Sequence, residues 1–257
     1  MQNTWNEIVA YRLNFIMWRM RTILALLVTY YLWLAIIPAG QTVFGYSQPK
    51  ILTYLFATFI LNAIVLSTRT QEIGENINSG DLSTFLTRPF NYFGYWFARD
   101  IGDKMMNIFF AMFELTIFYV LFRPPLFIQT NMAYLIGFLV ATFLAICLYF
   151  LFGILLGLIG FWSSEVWAPR FIFSLIIMFF AGMFFPLDIF PKTVYTIFQI
   201  LPFAYLLYFP IHVYLGQVNV FEMVRGICIS IIWIGVLLFF ADRVWKKGLR
   251  QYGAYGR

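Results

Sequence analysis

From Met132 to Trp162 the chain runs for 31 residues without an Asp, Glu, Lys, Arg or His. A helix of that length rises about 46 Å, more than the ~30 Å of hydrocarbon in a bilayer. Five shorter apolar runs accompany it: Thr22 to Ile37, Ile51 to Ser67, Met105 to Phe122, Phe171 to Phe185, and Val224 to Ala241. Only 11% of residues are charged, 62% are hydrophobic, and the mean hydropathy is +0.82. A soluble domain carries roughly 25% charged residues, so this chain cannot cover itself with polar surface in water. In hydrocarbon every backbone group must find its partner inside the segment, which selects helices. The expectation is an all-α integral membrane protein with six transmembrane helices, forming one domain over residues 1–257.

The distribution of Lys and Arg sets the orientation. With the N-terminus inside, the outer segments hold only Lys50, Arg123, Lys192 and Arg225, and the remaining basic residues fall on the cytoplasmic side. Both termini are then cytoplasmic. The net charge of +6 is read as this anchoring pattern and not as a nucleic-acid surface. Residues 1–21 predict an interfacial amphipathic helix, with Trp5, Ile8, Val9, Leu13, Ile16 and Met20 on one face. The tail from residue 242 to 257 is basic and aromatic and reads as an anchor for anionic lipid. No cleavable signal peptide is evident. Cys147 and Cys228 lie in apolar runs and read as small buried hydrophobes.

Two intervals break the apolar pattern. The first, residues 68–104, carries Glu72, Glu75, Asp81, Asp100 and Asp103 against Arg69, Arg88 and Arg99. Ile73 and Ile77 are spaced for one face of a short helix that stops at Ser79-Gly80. Asp81 is placed to cap a second short helix in which Leu82, Phe85 and Leu86 share a face, ended by Arg88-Pro89. Two short amphipathic helices at a membrane surface make a docking surface. The second interval, residues 186–219, is apolar but is cut by Pro186, Pro191, Pro202 and Pro210 into pieces too short to span. It predicts two short re-entrant helices on the outer side, packed against protein.

Few residues are candidates for chemistry. There is no phosphate-binding loop, no H-E-x-x-H or G-x-S-x-G motif, and no cluster with metal-ligand spacing, so no catalytic residue and no metal site is assigned. His212, the single histidine, reads as a polar interface residue. Glu114 stands near the middle of the third run, where a carboxylate costs a few kcal/mol, about 2.5–3.5 for Asp on insertion scales. It is a transport-pathway candidate or a helix–helix contact. Asn107 lies on about the same face, and Asn62 in the second run is a weaker candidate. Gly153, Gly157 and Gly160 match a small-residue packing stripe.

Order, spacing and topology together resemble the type-2 ABC exporter permeases, in the branch of bacterial half-permeases of roughly 260 residues. The residues that carry the resemblance are Ile73 to Lys104, Gly182 to Gly216 and Trp245 to Gly256, including Gly80, Leu82, Leu86, Arg88 and Pro89 in the cytoplasmic loop. The resemblance implies a permease in the bacterial cytoplasmic membrane that is not itself an enzyme. It implies pairing with a second permease chain, homologous or identical, and with a separate ABC ATP-binding subunit that holds ATP and Mg. Coupling to that subunit would fall to Glu75, Gly80, Asp81, Leu82, Phe85 and Arg88, and the outer gate to Pro186, Phe190, Pro202 and Phe203. The Phe-rich interior suits export of a hydrophobic or amphipathic substrate. The alternative is a proton-coupled secondary exporter that works through Glu114.

Overall fold

The computed structural model describes residues 12–38, 40–89 and 91–253. Apart from one two-stranded hairpin the described chain is helical: α1 Arg12–Ile36, α2 Gln48–Ile64, α3 Gln71–Ser79, α4 Leu82–Leu86, α5 Tyr92–Phe122, α6 Met132–Leu158, α7 Trp167–Phe180, α8 Lys192–Ile200, α9 Tyr208–Tyr214 and α10 Val220–Gln251. Single 3-10 turns at Ile159–Phe161, Leu187–Ile189 and Pro202–Tyr205 join them. By length and composition α5, α10 and α6 with its 3-10 extension can cross a membrane, while Met20–Ile36 and α7 are shorter apolar helices.

The long charge-free run forms the axis. Helix α6 packs against α10, α9 and α3, and α1, α2 and α5 pack in series beside it, with α9 touching both groups. α6 is the most buried of the three long helices. Near its N-terminal end Gly137 lies against Met223 and Val213; towards its C-terminal end the glycine stripe opens to α3.

Three helix boundaries differ from expectation, and one small element is added. The helix expected to end at residue 21 continues into the first apolar run, because no Gly or Pro intervenes before Pro38; residues 1–11 lie outside the described residues. Helix α5 begins at Tyr92, where Asn91 Oδ1 accepts the Gly94 N–H at 2.8 Å. Arg99, Asp100, Asp103 and Lys104 therefore stand on a helix and not in a loop. Helix α7 ends at Phe180, short of the expected Phe185, and at 14 residues rises about 21 Å. Gly182 turns the chain with φ +76°, and the freed carbonyls are taken up by neighbours: Tyr208 N–H donates to Ala181 O at 3.0 Å and Tyr54 Oη to Gly182 O at 2.5 Å. Finally, a small hairpin pairs β1 (Thr42–Val43) with β2 (Tyr46–Ser47) through a two-residue turn at Phe44 and Gly45, both with positive φ.

Candidate functional site

At one end of the bundle α3 and α4 form an elbow at Gly80, whose φ of 85° is the left-handed stop that its sequence implied. Ile73 and Ile77 face inward and are buried, as their spacing required. Their seat is the glycine stripe of α6. A Cβ on Gly157 would stand 2.9 Å from Ile73 Cβ, one on Gly160 would stand 2.9 Å from the Gly74 carbonyl oxygen, and one on Gly153 would collide with the Thr70 side chain. The stripe thus holds the elbow helix, where a contact between spanning helices had been the simpler expectation.

Charge completes the seat. Arg69 Nε pairs with Asp103, Arg69 Nη1 reaches Glu72 Oε1 at 3.3 Å, and Arg99 Nη1 reaches Glu72 Oε2 at 2.8 Å. Arg69 N–H donates to Asp100 Oδ1 at 3.3 Å. Lys104 Nζ lies 3.0 Å from Asp100 Oδ2 with both side chains almost wholly buried, and also donates to Ser67 O at the end of α2. Arg170, in the first turn of α7, donates to Thr70 O at 2.6 Å and Gly153 O at 3.2 Å. Helices α2, α3, α5, α6 and α7 are thereby tied at one node.

The outward side of the elbow is polar. Glu75, Asp81, Leu86 and Arg88 are exposed, Phe85 is half-buried against Tyr92, Tyr95 and Trp96, and Leu82 is fully buried. Asp81 does not cap α4: its backbone is helical, and Oδ2 instead accepts the Ser79 hydroxyl at 2.7 Å. From the far end of the chain Tyr252 Oη donates to Gly80 O at 2.9 Å, Trp245 stacks on Tyr92, and Gly248 lies against Phe161. Trp245 and Tyr252 of the basic tail therefore pack on the chain's own elbow, while Arg243, Lys246, Lys247 and Arg250 remain exposed.

The pathway candidates sit on α2 and α5. Asn107 donates to Ser67 Oγ at 2.7 Å and belongs to the node just described. Glu114 is half-buried on α5 and Asn62 half-buried on α2. None of the three lines the apolar cavity of about 420 Å³ between α2 and α5, whose walls include Phe56, Ile60, Met112, Leu115, Phe127 and Tyr214.

At the opposite end the gate candidates do come together. Phe190 touches Phe179, Phe185 and Phe198, and Phe203 touches Phe152, Phe173 and Phe180, with Phe180 against Phe198 closing one aromatic cluster. Pro186 and Pro202 are buried beside it. The Pro-broken interval yields two short helices, α8 and α9, and α9 is buried from Tyr208 to Val213. Behind it, His212 is held between Tyr46 Oη and Tyr208 Oη, each 3.3 Å from a ring nitrogen, and Tyr46 Oη donates to Asp188 Oδ1 at 3.0 Å. Burial pushes His212 down to about 3, with Lys50 adding to the effect, and burial raises the Asp188 carboxyl against the Tyr46 hydrogen bond. His212 is thus a buried, neutral structural group and not an interface residue.

A family model described as ABC-2 family transporter protein covers residues 23–256. The chain belongs to the ABC-2 transporter family. Comparison with curated proteins finds no match. This ABC-2 family member is a multi-pass membrane protein, a transport permease rather than a catalytic enzyme, and permeases of this family generally work with an ATP-binding subunit.

The node residues Arg69, Glu72, Arg99, Asp103 and Arg170 escape a reading by motif, because each looks like an isolated surface charge in sequence. The available signal was the imbalance of the interval: so many charges flanked by apolar runs must pair among themselves.

Proposed function

We propose that this permease is the membrane half of an ATP-driven exporter and that the α3–α4 elbow receives the force of an ATP-binding subunit carrying ATP and Mg. The supporting observation is the asymmetry of α3: one face is locked into the glycine stripe of α6, and the other presents Glu75 to solvent beside Asp81 and Arg88. A push on the exposed side has a rigid route into α6 and, through Arg69 and Lys104, into α2 and α5. Gly80, Leu82 and Phe85 set the elbow's angle and hold α4 to α5.

In this reading α1, α2, α5, α6, α7 and α10 are the six spans, α8 and α9 are re-entrant on the outer side, and both termini are cytoplasmic in a bacterial inner membrane. Two permease chains, homologous or identical, enclose the path. Pro186, Phe190, Pro202 and Phe203 form its outer gate. The apolar cavity between α2 and α5 supports a hydrophobic or amphipathic substrate, since its walls offer little to a hydrated ion. The proton-coupled alternative gains no support, because Asn107 is engaged with Ser67 at the coupling end.

Purification of the tagged permease from its native membrane tests the reading. An ATPase should come with it in stoichiometric amount and be lost when Glu75, Asp81 and Arg88 are reversed in charge together. A chain that arrives alone and drives uncoupler-sensitive, vanadate-insensitive flux in liposomes would sink the proposal and return attention to Glu114.

A further inference from the structure

A second cavity, of about 180 Å³, opens at the end of the bundle away from the elbow, between α8, the Pro202–Tyr205 turn, α9 and the first turns of α10. Its back wall is His212 and Tyr208, both almost fully buried and fixed by the Tyr46 and Tyr195 hydroxyls. Its rim carries Glu222 and Arg225, three apart on one face of α10 yet not paired with each other. Arg225 makes no ion pair among the described residues. Glu222 spends Oε2 on the Asn219 N–H at 2.8 Å in a capping box, and its other oxygen makes no hydrogen bond among the described residues. Inside the cavity Gln217 Oε1 is buried without a hydrogen-bond partner among the described residues. An acceptor in that position costs about 1–3 kcal/mol unless a donor arrives.

We propose that this cavity binds the phosphoethanolamine headgroup of a membrane phospholipid. The guanidinium of Arg225 faces the phosphate, while Glu222 Oε1 and Gln217 Oε1 accept from the ammonium, which brings three N–H donors. The size fits a headgroup and excludes drug-sized ligands, whose pockets run about 300–1,000 Å³. A quaternary choline has no N–H to offer Gln217, and a glycerol head has no cation for Glu222. The source is a lipid and not a free metabolite, because the rim continues onto exposed apolar surface at the start of a helix long and apolar enough to cross a membrane: Phe221 is 76% exposed and Val224 51%. The acyl chains lie along that face of α10. The inference stands on the cavity and is independent of the ATP-driven reading.

Native mass spectrometry of the full purified permease, released from bilayers containing equal dioleoyl-phosphatidylethanolamine, -choline and -glycerol, tests it. Phosphatidylethanolamine should be retained at least about tenfold over the other two. Glu222→Gln keeps the capping box, since Gln caps at that position, and should erase the preference over phosphatidylglycerol. Arg225→Gln should lower retention of all three, and Arg225→Lys should restore part of it. Equal retention of the three lipids, or unchanged retention in both charge-removing variants, overturns the site. Displacement of the lipid by equimolar free O-phosphoethanolamine overturns the assignment to a lipid.

Discussion

The two ends of this permease are held together by opposite means. The elbow end relies on ion pairs, Arg69 with Glu72 and Asp103, Arg99 with Glu72 and Asp100 with Lys104, with glycines letting backbones touch. The opposite end relies on rings and on a histidine kept neutral, with Asp188 bound to a tyrosine and not to a cation at close range. Paired charges and backbone contacts have one good arrangement and lose heavily when displaced. Ring contacts carry no charge and each is worth only about 0.5–1.5 kcal/mol beyond its burial, so exchanging one for another costs less. A rigid input and a repackable gate are what a device needs if it is pushed at one end and opens at the other.

The largest break in this contrast should come at Asp100–Lys104. Lys104→Met leaves a buried carboxylate uncompensated and is expected to cost about 3–5 kcal/mol, read as a large fall in the unfolding midpoint in detergent. Asp100→Asn combined with Lys104→Met should recover much of it. Equal loss in the single and double variants would mean that the pair is incidental to the node.

Next in size is the glycine seat. Gly160→Ala places a methyl against a backbone carbonyl that cannot rotate away, and overpacking of this kind costs about 1–3 kcal/mol. On the proposed function the same change should uncouple ATP hydrolysis from transport. Gly102→Ala, where nothing lies within 4 Å of the new Cβ, is the matched control on α5. If both substitutions behave alike, α3 is not seated as described.

These two residues also show how far the sequence reaches. Helix positions were readable, because hydrocarbon imposes length and apolarity on each segment independently of its neighbours. The stop at Gly80 and the breaks at Pro186, Pro191 and Pro202 were readable for the same local reason, whereas Pro210 sits in the first turn of α9. The partner of a glycine stripe was not, since G-x-x-x-G says only that something approaches closely. Nor could the sequence reveal that Tyr252, 172 residues away, fastens the elbow. Phe190 and Phe203 were expected at a gate and do share one cluster, whereas Asn107 was joined to Glu114 by helical phase alone. Phase places residues on a face but cannot say which neighbour that face meets.

The opposite end should show its character in pH. The unfolded chain protonates a histidine near 6.5, while the folded chain holds His212 unprotonated down to about 3. Between those values the unfolded state binds more protons, so stability falls as pH falls, at about 1.4 kcal/mol per unit below 6.5. Asp188, raised above its usual 3.8, acts with the opposite sign: its contribution is fullest in acid and is lost as pH rises through its folded value. The unfolding midpoint should therefore drop from pH 7 to pH 5, and His212→Asn should flatten the slope. An unchanged slope in that variant would place the acid sensitivity elsewhere.

The smallest effect separates stability from coupling. A capping aspartate lost to Ala shifts stability by about 0.5–2 kcal/mol, but the Asp81 side chain caps nothing and only accepts the Ser79 hydroxyl at an exposed site. Asp81→Ala should therefore move the unfolding midpoint by less than the equivalent of about 0.5 kcal/mol. Tyr252→Phe, which removes the hydroxyl bound to Gly80 O, should cost about 0.5–1.5 kcal/mol from the same elbow. If the elbow is a docking surface, the ranking inverts when ATPase retention is measured: Asp81→Ala weakens it more than Tyr252→Phe, because only Asp81 faces outward. A variant pair that ranks the same way in both assays would show that the elbow is merely a well-packed corner, and the contrast between a driven end and a yielding end would lose its first half.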